Sequence, residues 1–265
     1  MKPVWQRRHY PLTGQIIWLT GASSGIGAAL VPVLARECRH LIISGRDLQR
    51  LQATASGYCN VTALPADVTD PEALARVAQH IHAVFGYLDT LIANAGTCEY
   101  LDAGAFDAAL VKRVMTTNFD GLVNTLEAAL PLVRASRQGY LVAVSSSAAW
   151  LPLPRAEAYG ASKAAVNYFM QSLRVDLATD AIDVSLVAPG FVKTPLTDRN
   201  RFAMPMRITA SEAAAAIVEG MHRRSAWIHF PKRFTWPLRL LGCLPARWQT
   251  RLLQRIQHQE GPHHV

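Results

Sequence analysis

Apolar residues fall along this chain in short continuous runs separated by stretches of helical period. Residues 16–19, Ile-Ile-Trp-Leu, predict a buried strand, and residues 28–35 predict a helix that carries Pro32. Similar runs at 40–44, 61–65, 88–93, 140–144, 184–188 and 226–230 predict six more strands. Helical stretches lie between them, after Asp47 through Leu51, after Asp70, and over 106–130, 158–178 and 211–221. Asp70 suits an N-cap with Pro71 in the first turn, and Leu74, Val77, Ile81, Val84 and Phe85 recur on one face. Strand and helix alternate without repeats or low-complexity linkers. The expected fold is α/β, a doubly wound and mostly parallel sheet with helices on both faces.

The expected organisation is an N-terminal extension over residues 1–11, one dinucleotide-binding catalytic domain over 12–230, and a tail over 231–265 with short helices at 237–241 and 246–257. The chain has 265 residues, half of them hydrophobic, enough for a sizeable core, and a formal charge of +8. Six of those charges (Lys232, Arg233, Arg239, Arg247, Arg251 and Arg255) lie between Pro231 and His258, where there is no acid, so the rest carries only +2. The near-neutral main domain and the lack of base-stacking motifs argue against a nucleic-acid binder. In the last helix Trp248, Leu252 and Ile256 share a face beside the stripe Arg247, Arg251 and Arg255. Such a basic amphipathic helix suits an anionic membrane surface, its own domain or a second subunit.

Residues 1–10 lack the apolar segment and small-residue cleavage pattern of a secretory signal. No apolar run approaches the roughly 20 residues of a bilayer-spanning helix. The expectation is a cytoplasmic protein, with peripheral contact at the inner face of a membrane as an option. Cys38, Cys59, Cys98 and Cys243 have no metal-ligand spacing, so reduced thiols and no metal site are expected.

Between the first strand and first helix stands Thr20-Gly21-Ala22-Ser23-Ser24-Gly25-Ile26-Gly27. Three glycines permit a sharp turn and close approach of a phosphate, and the helix N-terminus offers N–H groups and a positive dipole end. A tight connection with no ligand is the alternative reading. After the second strand comes Gly45-Arg46-Asp47; an acid there favours a free ribose 2′-hydroxyl and an arginine a 2′-phosphate. Arg46 thus favours NADP, with NAD and a merely solvated arginine as alternatives. Ser145, Ser146 and Ser147 end the fifth strand, at the edge where open α/β sheets form their ligand crevice. Tyr159 and Lys163, four apart, share a helix face, where an ammonium draws a phenol from its ordinary pKa near 10 towards the working range.

With these motifs in order, the chain resembles the short-chain dehydrogenase/reductase family, the single-domain NAD(P)-dependent oxidoreductases, over roughly residues 12–230. The match consists of Thr-Gly-x-x-x-Gly-x-Gly at 20–27, Asn94-Ala95-Gly96, Tyr-x-x-x-Lys at 159–163, Ser146 thirteen positions before Tyr159, Asn118, and Pro189-Gly190 with Thr194. Ala93 departs from an asparagine often found before Asn-Ala-Gly, and no family motif maps beyond Phe230.

The resemblance implies a Rossmann-like fold and hydride transfer between a nicotinamide and a carbonyl or secondary alcohol. It implies Tyr159 as acid/base, Ser146 holding the substrate oxygen, Lys163 tuning the tyrosine and binding the nicotinamide ribose, and Asn118 holding a water. It places Gly21, Ser23, Ser24, Gly25, Ile26 and Gly27 on the diphosphate, Asp67 and Val68 at the adenine, Asn94, Ala95 and Gly96 along the cofactor, and Pro189, Gly190, Val192 and Thr194 near the nicotinamide. A homodimer or homotetramer pairing through 106–130 and 158–178 is also implied. Two stretches carry specificity, 150–154 and 191–207. The second holds Phe191, Val192, Leu196, Phe202, Met204, Pro205 and Met206 beside Lys193, Arg199, Arg201 and Arg207. They suit a lid over an apolar, lipid-like or steroid-like carbonyl or alcohol, with an anionic group as an option; a packed mobile loop is the alternative. A catalytically silent NAD(P)-sensing regulator is the competing function.

Overall fold

The structure, a computed structural model, describes residues 9–199 and 204–259. Arg201 and Phe202 of the expected lid lie outside the described residues, as do the side chains of Arg199, Arg255 and Ile256. Seven parallel strands form the sheet: β1 (Ile16–Thr20), β2 (His40–Gly45), β3 (Val61–Pro65), β4 (Thr90–Ala93), β5 (Tyr140–Val144), β6 (Asp183–Pro189) and β9 (Trp227–Phe230). Their order is β3-β2-β1-β4-β5-β6-β9, and β7 (Val192–Lys193) pairs with β8 (Ile208–Thr209) in a small separate ribbon. The strand order reverses between β1 and β4, which opens a crevice at their carboxyl ends.

Alternation along each strand sends side chains to two cores. On one face Ile17 and Leu19 of β1 pack with α1 (Gly25–Glu37), α2 (Leu48–Ala55) and α7 (Ala210–His222), through Leu30, Leu34, Leu51, Ile217 and Met221. On the other, Ile16 and Trp18 meet α3 (Pro71–Phe85), α5 (Gly121–Arg134) and α6 (Glu157–Leu177), through Leu74, Val77, Ile81, Leu126, Val166 and Met170. Both faces of β1 and β5 are fully covered, the reason their sequences read as unbroken apolar runs.

The helix expected over 106–130 is two helices. Asp107 caps α4 (Ala108–Met115) by accepting from the Ala109 and Leu110 N–H groups at 2.8 and 3.0 Å. A π-helical turn, Thr116–Asp120, then joins α4 to α5, with the Gly121 N–H donating to the Thr116 carbonyl five residues back. A side-chain carbon at Gly121 would stand 2.6 Å from Val68 Cγ2, so only glycine permits this approach. The added residue in the turn rotates Asn118 inward, where it is 2 % exposed. The first helix is likewise longer than expected, starting at Gly25 and passing through Pro32.

β4 begins at Thr90 instead of residue 88 because Asp89 turns its carboxylate to other work. It accepts the β1 Ile16 N–H at 2.8 Å and the Ser136 hydroxyl at 2.5 Å, and is itself buried.

Beyond β9 the chain returns as α8 (Lys232–Leu241) and α9 (Ala246–Gln259). Helix α8 begins five residues before the expected start at 237 and carries Pro237 within it. Leu238 and Leu253 bury against Leu151, and the Arg239 guanidinium stands 5.7 to 5.9 Å from the ring centres of Trp150, Trp227 and Trp236. The buried contact of α9 is therefore made by Leu253; Trp248, expected on the apolar face, is 53 % exposed.

Replacing Asp89 by Ala strands the Ile16 N–H in the core, a loss of about 1–3 kcal/mol for that donor alone. Replacing the exposed cap Asp107 by Ala costs about 1 kcal/mol. Urea unfolding should show the larger loss for Asp89→Ala; equal losses would contradict the role given to this carboxylate.

Candidate active site

The turn between β1 and α1 is built by the absence of side chains. Gly21 and Gly25 adopt φ of +67° and +57°, in the left-handed region that favours glycine. A side-chain carbon at Gly21 would lie 2.7 Å from Ala95 Cα, and one at Gly27 only 2.2 Å from the Gly21 carbonyl oxygen. Into this space Asn94 sends its amide, which donates to the carbonyls of Thr20 and Gly21 at 3.0 and 3.1 Å. The Thr20 hydroxyl accepts in return from the Asn94 and Ala95 N–H groups at 3.1 and 3.2 Å. Motifs 74 residues apart in sequence thus form one rigid corner at the strand reversal.

The helix N-terminus at this corner is open. Ser24 stands at the cap of α1 but makes no side-chain hydrogen bond to it. By contrast α2, α3, α4 and α7 are capped by Asp47, Asp70, Asp107 and Thr209. Uncapped first-turn N–H groups and the positive end of the helix dipole form an anion site. The residues present fit a dinucleotide diphosphate: a glycine cradle that a Cβ would fill, and no acidic residue in the first turn.

The neighbouring segments complete the outline. Gly45 lies within reach of Ser23, since a side-chain carbon there would be 3.4 Å from Ser23 Oγ. Arg46 follows, exposed and without a hydrogen bond or ion pair among the described residues, while Asp47 caps α2 and pairs with Arg50 at 3.2 Å. Asp67 folds back on Thr69, and the Val68 carbonyl accepts from Asn124 at 3.1 Å. Across the corner the Thr194 methyl would stand 3.3 Å from a Gly25 side-chain carbon. Val192 and Ile208 pair as β7 and β8, and Gly190 N–H donates to the Phe230 carbonyl at 2.7 Å. A side-chain carbon at Gly190 would meet the Phe234 ring at 2.8 Å, so the loop after β6 is packed directly on α8.

Asn118, Ser146, Tyr159 and Lys163 converge beside this corner. Tyr159 and Lys163 stand one turn apart on α6, with the ammonium 5.9 Å from the phenol ring centre. Lys163 is 4 % exposed, and its ammonium donates to the Val144 carbonyl at 2.9 Å. Ser146, two residues beyond β5, lies near enough to the Tyr159 phenol to favour its ionised form and accepts from the Ala148 N–H at 3.1 Å. A side-chain carbon at Gly96 would lie 3.1 Å from Asn118 Oδ1 and 3.2 Å from Lys163 Nζ, so this glycine lets both groups reach the site.

Burial moves the two titrating groups in opposite directions. It pushes the Tyr159 phenol up to about 12, helped by the neighbouring Cys98 thiolate form and opposed by the nearby Ser146 hydroxyl. It brings the Lys163 ammonium down to about 8, against a small opposing effect of Cys98. The lowering of the tyrosine by the lysine, expected from their spacing, is absent. Lys163 turns its ammonium to the Val144 carbonyl, and desolvation dominates the phenol.

The Asn118 side chain is fully engaged. Its oxygen accepts from the Thr97 N–H at 2.7 Å, and its amide donates to the Thr97 carbonyl and to Ser162 Oγ, each at 2.9 Å. It therefore clamps the segment after β4 to α6, and Ser162 in turn donates to the Tyr159 carbonyl at 2.7 Å. Sequence reasoning missed Thr97 and Ser162, although each adjoins a motif. It also missed the Val144 carbonyl, and Cys98 beside Tyr159 and Lys163, for which composition held no signal.

Residues 15–204 match the short chain dehydrogenase family. The chain is 37% identical to an uncharacterized oxidoreductase of Myxococcus xanthus (strain DK1622) over 231 residues, covering 86% of this chain and 91% of that protein. It is 35% identical over 267 residues to 11-beta-hydroxysteroid dehydrogenase 1A of Arabidopsis thaliana, covering 91% and 76% of the two chains. The crystal structure of a short chain dehydrogenase from Burkholderia cenocepacia J2315 in complex with NADP superposes with a TM-score of 0.81 at 25% identity, over 92% of this chain and 99% of that one. The glycine corner, the convergent serine, tyrosine and lysine, and these likenesses place this chain in the short-chain dehydrogenase/reductase family of oxidoreductases.

Proposed function

We propose that this chain is an NADP(H)-dependent oxidoreductase acting between the carbonyl and secondary-alcohol forms of an apolar substrate. The observation that carries this reading is the Tyr159 phenol, buried near Ser146 and held in its protonated form, in a site whose first helix has an uncapped N-terminus. When bound, the nicotinamide supplies or takes up the hydride. Gly21, Ser23, Ser24, Gly25, Ile26 and Gly27 would hold the diphosphate, with Asn94, Ala95, Gly96, Pro189, Gly190, Val192 and Thr194 along the rest and Asp67 and Val68 at the adenine. Arg46, unpaired and exposed, favours a 2′-phosphate, in keeping with the NADP bound to the Burkholderia cenocepacia relative.

During carbonyl reduction the substrate oxygen gains negative charge. Ser146 Oγ–H donates a hydrogen bond to that oxygen, and Tyr159 transfers its proton to it. The Lys163 ammonium, on the same helix face but turned to the Val144 carbonyl, keeps a positive charge 5.9 Å from the phenol ring as the phenolate forms. Asn118 acts as a positioning residue, since its amide fixes α6 through Ser162. A phenol at about 12 carries its proton at neutral pH, the form that carbonyl reduction uses. The hydroxysteroid dehydrogenase relative supports an apolar substrate.

The outward face of α6 supports self-association. Ala161, Ala164, Tyr168 and Val175 recur at spacings of three, four and seven residues, a helical face, and are exposed, Tyr168 by 79% and Val175 by 73%. A homodimer or homotetramer pairing this face is expected; a monomer in sedimentation equilibrium would contradict it.

Tyr159→Phe should lose roughly 10²-fold or more of NADPH-dependent ketone reduction while retaining NADPH binding. Full activity in the variant would remove the tyrosine from the chemistry. The reductive rate should hold through neutral pH and decline as pH rises past about 8, where Lys163 loses its charge while Tyr159 keeps its proton. A rate that climbs steadily above that pH would contradict the assignment.

A further inference from the structure

One surface lies apart from the cofactor corner and the proton-transfer set. Along α8, the following turn and the start of α9, the side chains facing solvent recur every three or four residues: Arg233, Trp236, Leu240, Leu244, Trp248 and Arg251. The four apolar members are 49, 66, 40 and 53 % exposed in that order. Thr235, Leu238 and Leu253 occupy the inner side and are buried, so docking on the domain is carried by the inner side; of the outer row Trp236 also meets the domain, its ring 5.3 Å from that of His229. Large apolar groups left outside a well-packed helix pair point to a partner.

Charge selects the partner. Six basic and no acidic residues lie between 231 and 258, and Lys232, Arg233, Arg247 and Arg251 are exposed beside the apolar row. Tryptophan at two of four apolar positions suits the boundary between headgroups and acyl chains, where an amphipathic ring has both surroundings. The combination of shallow apolar groups, flanking cations and no charge of opposite sign matches a negatively charged bilayer surface. Duplex nucleic acid would engage the cations and leave Leu240 and Leu244 in water.

We infer that the outer row of α8 and α9 is a peripheral docking surface for anionic lipid bilayers. It needs no membrane-spanning segment, and among the described residues no helix is long and apolar enough to be one. The row stands on the back of the helices that bury Leu151, in the loop following Ser146, so docking holds the bilayer on the side of the domain where that loop lies.

The test is co-sedimentation of the full chain with vesicles of phosphatidylcholine alone and of phosphatidylcholine mixed with phosphatidylglycerol, at low and high salt. The expected result is retention on the anionic vesicles only, weakened by salt. Leu240→Ser/Trp248→Ser should reduce the partition coefficient at least roughly tenfold, since two apolar side chains no longer leave water. Arg247→Ser/Arg251→Ser should reduce it as well and lower its salt dependence. Each variant is compared at a melting temperature matching the parent, which these exposed positions allow. No retention on anionic vesicles, equal retention on neutral ones, or unchanged retention of the Leu240→Ser/Trp248→Ser chain would overturn the inference. So would retention on duplex DNA in place of vesicles, or a fall in oligomer size caused by the apolar double variant, which would assign the row to a second copy.

Discussion

Everything at this site depends on the close approach of two backbone segments where Gly21 and Gly27 meet Asn94 and Ala95. No side-chain carbon fits at either glycine, and the Asn94 amide fills the gap with two hydrogen bonds to carbonyls of the turn. That contact fixes the direction of α1 against β4, leaving the first turn of α1 uncapped and directed to the crevice of the strand reversal. It also fixes the start of the segment through Gly96 and Thr97, which locates Asn118 and, through Ser162, the helix bearing Tyr159 and Lys163. The glycine corner and the proposed proton donor Tyr159 are thus parts of one hydrogen-bonded frame.

The tail is joined to the same frame by equally close contacts. Gly190 leaves room for the Phe234 ring, and Gly242 for the Trp150 carbonyl, where a side-chain carbon would stand 2.1 Å away. Arg239 among three indole rings adds an attraction that is stronger where the cation is partly desolvated. Helix α8 therefore touches both the loop after β6 and the loop after β5. The two stretches expected to recognise substrate rest on the segment that bears the basic outer row.

Most of the sheet was legible because strands buried on both faces advertise themselves as apolar runs: β3 and β5 fall on the expected residues, and the Asp70 cap of α3 forms as read. The glycine turn and the Tyr159–Lys163 spacing were legible because each is a local constraint. What escaped was set by distant partners. The Asp89 carboxylate bonds the Ile16 N–H, 73 residues away, beside the backbone bonds of the same residue to Ile16 and Tyr140. The π-helical turn at Asn118 depends on Gly121 meeting Val68, invisible to helical periodicity. The phenol's upward displacement reflects how deeply protein surrounds Tyr159, which spacing to Lys163 does not report. In the tail, periodicity found the amphipathic helix with Trp248, Leu252 and Ile256 on its apolar face, whereas the buried side chain is Leu253.

The central claim is that the glycine corner and Tyr159 serve one hydride-transfer reaction. The most direct measurement is the fate of label in a reaction of the purified chain with NADPH carrying deuterium at both positions of nicotinamide C4 and an apolar ketone. The account predicts one deuterium on the carbinol carbon of the product, matched to NADPH consumed. Tight NADPH binding with no labelled alcohol from any ketone or aldehyde offered would contradict it, and would leave the chain a sensor of the cofactor instead of an enzyme that uses it.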